Sequence, residues 1–129
     1  MICWGKDSQG QASPPAGYFV EVTSGDEYSC ALDYLGWVEC WGDEGGGVTS
    51  PPPLQQFSHI DGGGHHACGI TVDGDVECWG WCGYGECTPP NGEFVQLASG
   101  WGHTCGLTPG GEAICWGDNG SGQLNVPVP

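Results

Sequence analysis

Short segments with apolar residues at both ends recur along the chain at almost constant spacing. They begin with Phe and end with an aliphatic residue: Phe19–Val22, Phe57–Ile60 and Phe94–Leu97. A pattern of this length is typical of a brief, half-buried β-strand. A glycine follows each Phe six residues later, at Gly25, Gly63 and Gly100, and there we expect the chain to bend. The pattern therefore predicts repeated short strands.

Pairs of cysteines behind these strands predict β-hairpins of fixed register. Cys30 and Cys40 are centred on residue 35, so a three-residue loop over 34–36 would place them opposite each other. The same arithmetic applies to two later pairs, and the third loop residue is glycine every time: Gly36, Gly74 and Gly111. A three-residue hairpin loop favours a left-handed residue at that position, which glycine adopts without steric cost. Turn chemistry and cysteine spacing thus predict the same register independently.

This register brings each cysteine pair close enough for a disulfide. The predicted pairs are Cys30–Cys40, Cys68–Cys78 and Cys105–Cys115, together with Cys82–Cys87 in a loop found only in the second unit. Cys3 is left over as an unpaired or intermolecular cysteine. Zinc is disfavoured because zinc sites use short Cys-x2–4-Cys knuckles, which the pairs ten residues apart do not form. Nine cysteines in 129 residues indicate an oxidising compartment, so we expect a secreted or cell-surface protein.

The triplet Cys-Trp-Gly sets the period of the repeat. It begins at Cys3, Cys40, Cys78 and Cys115, at intervals of 37, 38 and 37 residues. Self-similarity at such a period indicates a repeat architecture. We divide the chain into a partial repeat, 1–17, and three units, 18–55, 56–92 and 93–129, which together form one domain or part of one. Residues 2–4 are expected to be the end strand of the partial repeat.

One longer motif carries a resemblance to a known family. It reads Phe-x-x-(Val/Leu/Ile)-x-x-Gly-x-x-His-(Thr/Ala)-Cys-Gly-(Leu/Ile), followed later by Cys-Trp-Gly-Asp-Asn-x-x-Gly-Gln, and its best copy runs from Phe94 to Leu124. The motif resembles the regulator-of-chromosome-condensation repeat, in its cysteine-bearing secreted form. The resemblance implies an all-β fold of β-propeller blades, about three complete four-stranded blades plus a partial one, pinned by disulfides. Since propellers close with roughly four to eight blades, these units are too few to close a ring alone.

The charge balance excludes several classes of function. The formal net charge is −15, and Lys6 is the only basic side chain. Nucleic-acid binding needs clustered Lys and Arg, and an anionic membrane surface would repel the chain. No apolar run approaches the ~18 residues of a membrane span. The acidity favours solubility, or a surface for cations and basic partners.

Polar residues of catalytic or metal-binding type are either repeat positions or isolated. The repeat positions are Ser29, His66, His103 and Thr104, and the others are His59, Asp61, His65, Asp73 and Asp75. One strand-and-bend segment rarely directs His59, Asp61 and His65 to a single point. Asp73-Gly74-Asp75 lies at a hairpin tip and lacks the remaining ligands of a calcium loop. We therefore predict a non-enzymatic protein with no catalytic residues, bound metal or cofactor.

Three tryptophans outside the repeated triplets are candidate binding residues: Trp37, Trp81 and Trp101. An exposed Trp is a good contact for a sugar ring or a protein partner. Possible glycosylation sites are Asn119, in an Asn-Gly-Ser sequon, and Ser13, Ser50 and Thr88, each next to proline.

Two functions fit these observations. The first is an extracellular structural or protein-interaction module that assembles with other copies into a ring or fibre, sits within a longer repeat array, or binds other proteins. Repeat units bury their core against neighbouring units, so uncapped ends favour such an assembly. The alternative is a lectin-like propeller that binds carbohydrate or another ligand through exposed Trp.

Overall fold

The chain folds into three consecutive antiparallel sheets, which we call blades 1, 2 and 3. The computed structural model describes residues 1–127; Val128 and Pro129, the end of the third unit and of its Pro-rich tail, lie outside the described residues. The strands are β1 (Phe19–Ser24), β2 (Tyr28–Asp33) and β3 (Val38–Gly42) in blade 1; β4 (Phe57–Gly62), β5 (His66–Thr71) and β6 (Val76–Gly80) in blade 2; and β7 (Gln96–Ser99), β8 (His103–Leu107) and β9 (Ala113–Gly117) in blade 3. A 3-10 turn, Gly45–Gly47, follows blade 1. The all-β prediction is confirmed.

Two details differ from the sequence-based expectation. Each described sheet has three hydrogen-bonded strands, where the family resemblance implied four. The segments that link the blades are rich in proline, for example Pro51–Pro53, and proline has no amide hydrogen to donate to a ladder. The expected strand over residues 2–4 does not form either. Its counterparts β3, β6 and β9 each pair with the middle strand of their blade, and residues 1–127 supply no such partner for it.

The hairpin register agrees with the loop arithmetic. Cys30 lies opposite Cys40, and the two later pairs, Cys68 with Cys78 and Cys105 with Cys115, repeat this arrangement. Each pair forms a disulfide with its Cα atoms 4.0 Å apart, and Cys82 is bonded to Cys87. Gly36, the third loop residue of the first hairpin, has φ of 93°. A residue with a Cβ would be strained there, which explains why glycine recurs at this position.

The hydrophobic core lies between the blades. Side chains alternate along a strand, so neighbouring Cys40 and Trp41 point to opposite faces of blade 1. We call the face that carries the disulfide the trailing face, and the face that carries the Trp the leading face. The trailing face of blade 1 packs on the leading face of blade 2, and that interface contains Tyr28, Cys30, Leu32, Val38, Cys40, Val48, Phe57, Ile60, Ala67 and Trp79.

The second interface repeats the first with equivalent residues. Blade 2 contributes its disulfide and two aliphatic side chains, and blade 3 contributes an aromatic and aliphatic leading face. Its members are Cys68, Ile70, Val76, Cys78, Phe94, Leu97, Ile114 and Trp116. In each interface a Phe ring packs against the Trp ring, with centroids 5.6 Å apart for Phe57–Trp79 and 5.7 Å apart for Phe94–Trp116. Burial of apolar surface between neighbours therefore stabilises the row of blades.

The Trp of the triplet in each blade also binds the segment that follows the preceding triplet. The indole N–H donates to a backbone carbonyl in that segment: Trp41 to Gln11 (3.0 Å), Trp79 to Val48 (2.9 Å) and Trp116 to Glu86 (2.8 Å). Residues around Gln11 therefore pack on blade 1 as the tail of a preceding unit would.

Glycine is required where the bends of adjacent blades meet. A Cβ built on Gly25 would lie 2.3 Å from the Gly63 carbonyl oxygen, and one on Gly63 would lie 2.4 Å from the Gly100 carbonyl oxygen. Any larger residue would force the blades apart.

Candidate functional sites: two open blade faces and an aromatic pocket

The leading face of blade 1 is open. Its residue Val22 holds the position that Ile60 holds in blade 2 and Leu97 in blade 3, yet Val22 is 55% exposed where the other two are 2% and 3% exposed. Two hollows lie along this face. One of about 430 Å³ is lined by Trp4, Val22 and Ser29 among others, and one of about 320 Å³ is lined by Tyr18, Phe19 and Val20 among others.

The trailing face of blade 3, the opposite half of the same kind of interface, is also open. Cys105 and Leu107 are only partly buried, whereas their counterparts in blades 1 and 2 are buried. A shallow hollow of about 220 Å³ runs over this face, lined by Ala98, Cys105 and Leu107 among others. The chain thus exposes one copy of each half of an interface that it forms twice internally.

In blades 1 and 2, a side chain at the start of the middle strand crosses to the next blade. The Tyr28 hydroxyl donates to the carbonyl oxygens of Gly63 and His66, and the His66 Nε2 lies 2.8 Å from the Thr104 hydroxyl. Burial raises the pKa of Tyr28 far above its usual range and lowers the pKa of His66. His103 holds the same position in blade 3 and lies on the open trailing face.

Polar side chains on the first strand of each blade bind amides on the first strand of the next. The Glu21 carboxylate accepts from the Ile60 amide at 2.7 Å, and Thr23 Oγ1 accepts from the Gly62 amide at 2.9 Å. Asp61, the counterpart of Thr23, accepts from the Ser99 amide. Burial raises the pKa of the Asp61 carboxyl. Side chains from each blade thus fix the position of the next blade.

An exposed aromatic cluster spans blades 2 and 3 at the end that carries the first-strand bends. The Trp81 and Tyr84 ring centroids are 5.3 Å apart, those of Tyr84 and Trp101 are 5.8 Å apart, and those of Trp101 and His65 are 6.0 Å apart. Trp81, His65 and Trp101 line a pocket of about 330 Å³ together with Asp43, Gly45 and Gly46. We call this the aromatic pocket.

The structure separates the three candidate tryptophans. Trp81 and Trp101 lie in the aromatic pocket, 44% and 55% exposed. Trp37 is also exposed, but it lies at a hairpin tip just before β3. Trp81 follows β6, the equivalent strand of blade 2, so the two tryptophans lie at opposite ends of their blades. Tyr84 and the place of His65 in an aromatic site were not predicted from the sequence. The equivalent positions of the other units carry different residues, and this departure from the repeat is the feature of the sequence that could have identified both.

Two histidines, His59 and His65, each lie near one acidic side chain of blade 1. His59 Nδ1 lies 3.0 Å from Glu21 and His65 Nε2 lies 3.6 Å from Asp26. Among residues 1–127, no group of three or more His, Cys, Asp or Glu side chains could hold a metal ion.

The side chains suggested for glycosylation are all exposed: Ser13, Ser50, Thr88 and Asn119. In the described part of the chain, Cys3 is the one free cysteine.

Three similar meanders that pack leading face on trailing face define a β-propeller-type repeat protein. Residues 94–123 match the family described as the regulator of chromosome condensation (RCC1) repeat. This match to one unit, together with the fold, confirms the resemblance to RCC1-like β-propeller repeats found in the sequence. A comparison with curated proteins gives no match.

Several solved structures share the fold. The ectodomain of the Physcomitrella patens receptor kinase CR4 is 37% identical, with a TM-score of 0.69 over 77% of this chain and 29% of that one. The CRINKLY WD40 ectodomain of the Arabidopsis thaliana receptor kinase ACR4 is 30% identical, with a TM-score of 0.68 over 86% of this chain and 38% of that one. Prp20p from Saccharomyces cerevisiae is 19% identical, with a TM-score of 0.70 over 86% of this chain and 35% of that one. The chain therefore spans about a third of the length of these proteins.

Among residues 1–127, no helix has the length and apolar character needed to cross a bilayer.

Proposed function

We propose that the chain is a non-enzymatic, extracellular protein-interaction module whose open faces join it head to tail with further copies of itself. The observation that carries this proposal is the equivalence of its faces. The trailing face of blade 3 and the leading face of blade 1 are the two halves of the interface that the chain already forms between blades 1 and 2 and between blades 2 and 3.

The polar positions of the two open faces also match. Gln96 in blade 3 is equivalent to Glu21 in blade 1. In a joined pair its side chain would accept a hydrogen bond from the Val22 amide of the next copy, as the Glu21 carboxylate accepts one from the Ile60 amide. His103 would reach the next blade as Tyr28 and His66 do. Leu107 would be covered by a leading face, as Leu32 is covered by blade 2.

The geometry of such an assembly is heterologous, because two different faces meet. Two chains would bring six blades together, within the range of about four to eight at which propellers close. If the rotation between copies does not close, the same contact gives a fibre.

The extracellular setting is supported by the four disulfides, which persist in oxidising compartments. The similarity to two receptor-kinase ectodomains supports it further. Protein binding is also a property of a more distant neighbour, since Prp20p is described as binding Gsp1p and histones.

Matched aspartate variants test the association. We expect Val22→Asp to block the leading face and Leu107→Asp to block the trailing face, because either would place a charge in an apolar interface. The control is Val72→Asp, the same change at an exposed position on the internal blade. Light scattering over a wide concentration range should show wild type and control above the 13.4 kDa of one chain, and both face variants as monomers.

Mixing the two face variants tests whether the contact is head to tail. The Val22→Asp chain keeps its trailing face and the Leu107→Asp chain keeps its leading face. Their mixture should therefore form a dimer of one chain of each kind and nothing larger. Wild type that stays monomeric at every concentration would refute the association. A Leu107→Asp chain that associates with itself would refute the head-to-tail arrangement.

A further inference from the structure

We propose that the aromatic pocket binds an arginine side chain of a protein partner. The pocket combines two indole rings with the Asp43 carboxylate and opens at the surface, with a volume of about 330 Å³. It lies across all three blades, since Asp43 follows blade 1, His65 and Trp81 belong to blade 2, and Trp101 belongs to the bend of blade 3.

The rings are held in place before any ligand arrives. Trp81 packs on Gly83 so closely that a Cβ there would lie 2.2 Å from the ring. Trp101 packs on Gly64 in the same way, and a Cβ there would lie 2.7 Å from the ring. Tyr84 lies between the two indoles and contacts both. Binding therefore requires little ordering of these side chains, which favours affinity.

The charge around the pocket favours a cation. Asp43 lines it, and Asp26 lies beside its His65. The chain has a net charge of −15, and Lys6, its only Lys or Arg, pairs with Glu27 and does not line the pocket. No Lys or Arg of the chain therefore competes for these rings. A cation over the face of Trp is attracted by the ring quadrupole and by the nearby carboxylates.

The shape of the rings favours arginine over lysine. A guanidinium is flat, stacks on aromatic faces and gives up water more readily than an ammonium does. Its fork of N–H donors matches the Asp43 carboxylate, while its apolar stem can lie along an indole. A neutral sugar would gain the stacking contact and could donate hydroxyl hydrogen bonds to the carboxylates, but it would lack the attraction between opposite charges.

A pair of neutral and charged isosteres tests the proposal. The probe is the peptide acetyl-Gly-Gly-Arg-Gly-Gly-amide, and its control carries citrulline, which has nearly the same shape as arginine and no charge. Titration calorimetry should show the arginine peptide binding at least about tenfold more tightly. The host chain is Val22→Asp, in which association is blocked, so the outcome is independent of the head-to-tail contact.

Three substitutions locate the binding. Trp101→Ala should weaken it by about tenfold, and Trp37→Ala, an exposed tryptophan at the other end of its blade, should leave it unchanged. Asp43→Asn keeps the shape of the pocket and should reduce the preference for arginine over citrulline. Equal binding of the two peptides, tighter binding of neutral glycosides, or unchanged binding in both Trp101→Ala and Asp43→Asn would overturn the proposal.

Discussion

Removal of the Cys68–Cys78 disulfide should be more destabilising than removal of the Cys82–Cys87 disulfide. The first closes a segment of ten residues and the second a segment of five. Loop-closure entropy then gives about 2.7 kcal/mol for the first and about 2.1 kcal/mol for the second. The loop term alone separates them by only about 0.6 kcal/mol, so the deciding difference is burial.

Cys68 is completely buried between blades 2 and 3, and Cys78 packs against the same cluster, whereas Cys82 is exposed. Replacing Cys68 and the partly buried Cys78 by alanine removes two sulfur atoms from that core, which adds roughly 1 kcal/mol. We therefore expect Cys68→Ala/Cys78→Ala to lose about 3–4 kcal/mol and Cys82→Ala/Cys87→Ala about 2 kcal/mol.

Urea unfolding followed by Trp fluorescence measures both losses, with the slope of the transition as a check that the unfolded state is comparable. A loss below about 1 kcal/mol for the buried pair, or one no larger than for the surface pair, would refute the reasoning. Mass spectrometry of unreduced peptides checks the premise, because free thiols at these positions would contradict the hairpin register.

Three further variants test single contacts. Gly63→Ala should destabilise by at least about 2 kcal/mol, because its Cβ would meet a carbonyl oxygen of the next blade at 2.4 Å. Glu86→Gln should stabilise by about 1 kcal/mol at neutral pH, because it removes the charge of a buried carboxylate and keeps the hydrogen bond that this side chain accepts from the Tyr84 amide, as Gln11 accepts one from Gln9. The pKa of His66 is lowered from 6.5 by burial, so the unfolded chain binds the proton more readily and stability should fall as pH drops below about 6.5. His66→Tyr, which copies Tyr28 of blade 1, should remove that part of the pH dependence.

Each of these three variants has a control or a result that would contradict it. Gly110→Ala is the control for Gly63→Ala, since its Cβ would have no contact closer than 3.9 Å, and denaturant midpoints should separate the two. A loss of stability in Glu86→Gln at neutral pH would show that its carboxylate is favourable where it lies. For His66, the difference in unfolding free energy between wild type and His66→Tyr is measured from pH 7.5 to 5. A difference that does not change with pH would contradict the argument.

The hairpins were predictable because local rules fix them. A cysteine pair ten residues apart and a glycine at the third loop position each specify the same register, and neither depends on distant residues. Which neighbouring blade each face of a sheet contacts could not be predicted from these local rules. Cys40 and Trp41 alternate, but only the packed blades show that the disulfide faces the next blade and the Trp the preceding one.

The predictions that did not hold depended on partners elsewhere in the chain. Residues 2–4 match the third strands of the blades in sequence, yet a strand needs a neighbour to bond, and residues 1–127 do not supply one. The fourth strand of each blade was an expectation from the family resemblance, and proline in the linking segments gives a physical reason for its absence. The aromatic pocket was only half predictable, because tryptophans distant in sequence meet through blade packing.

The departures from the repeat support the proposed arginine site. Trp101 stands where blade 1 has Asp26 and blade 2 has Gly64, and Trp81 stands where the other units have Asp43 and Asp118. A departure that served packing within one blade would be buried in that blade. These two are exposed instead, and they come together from different blades around one pocket. Since repeat positions already form the core, the interfaces and the turns, an exposed indole at both sites is better explained by contact with a ligand than by stability.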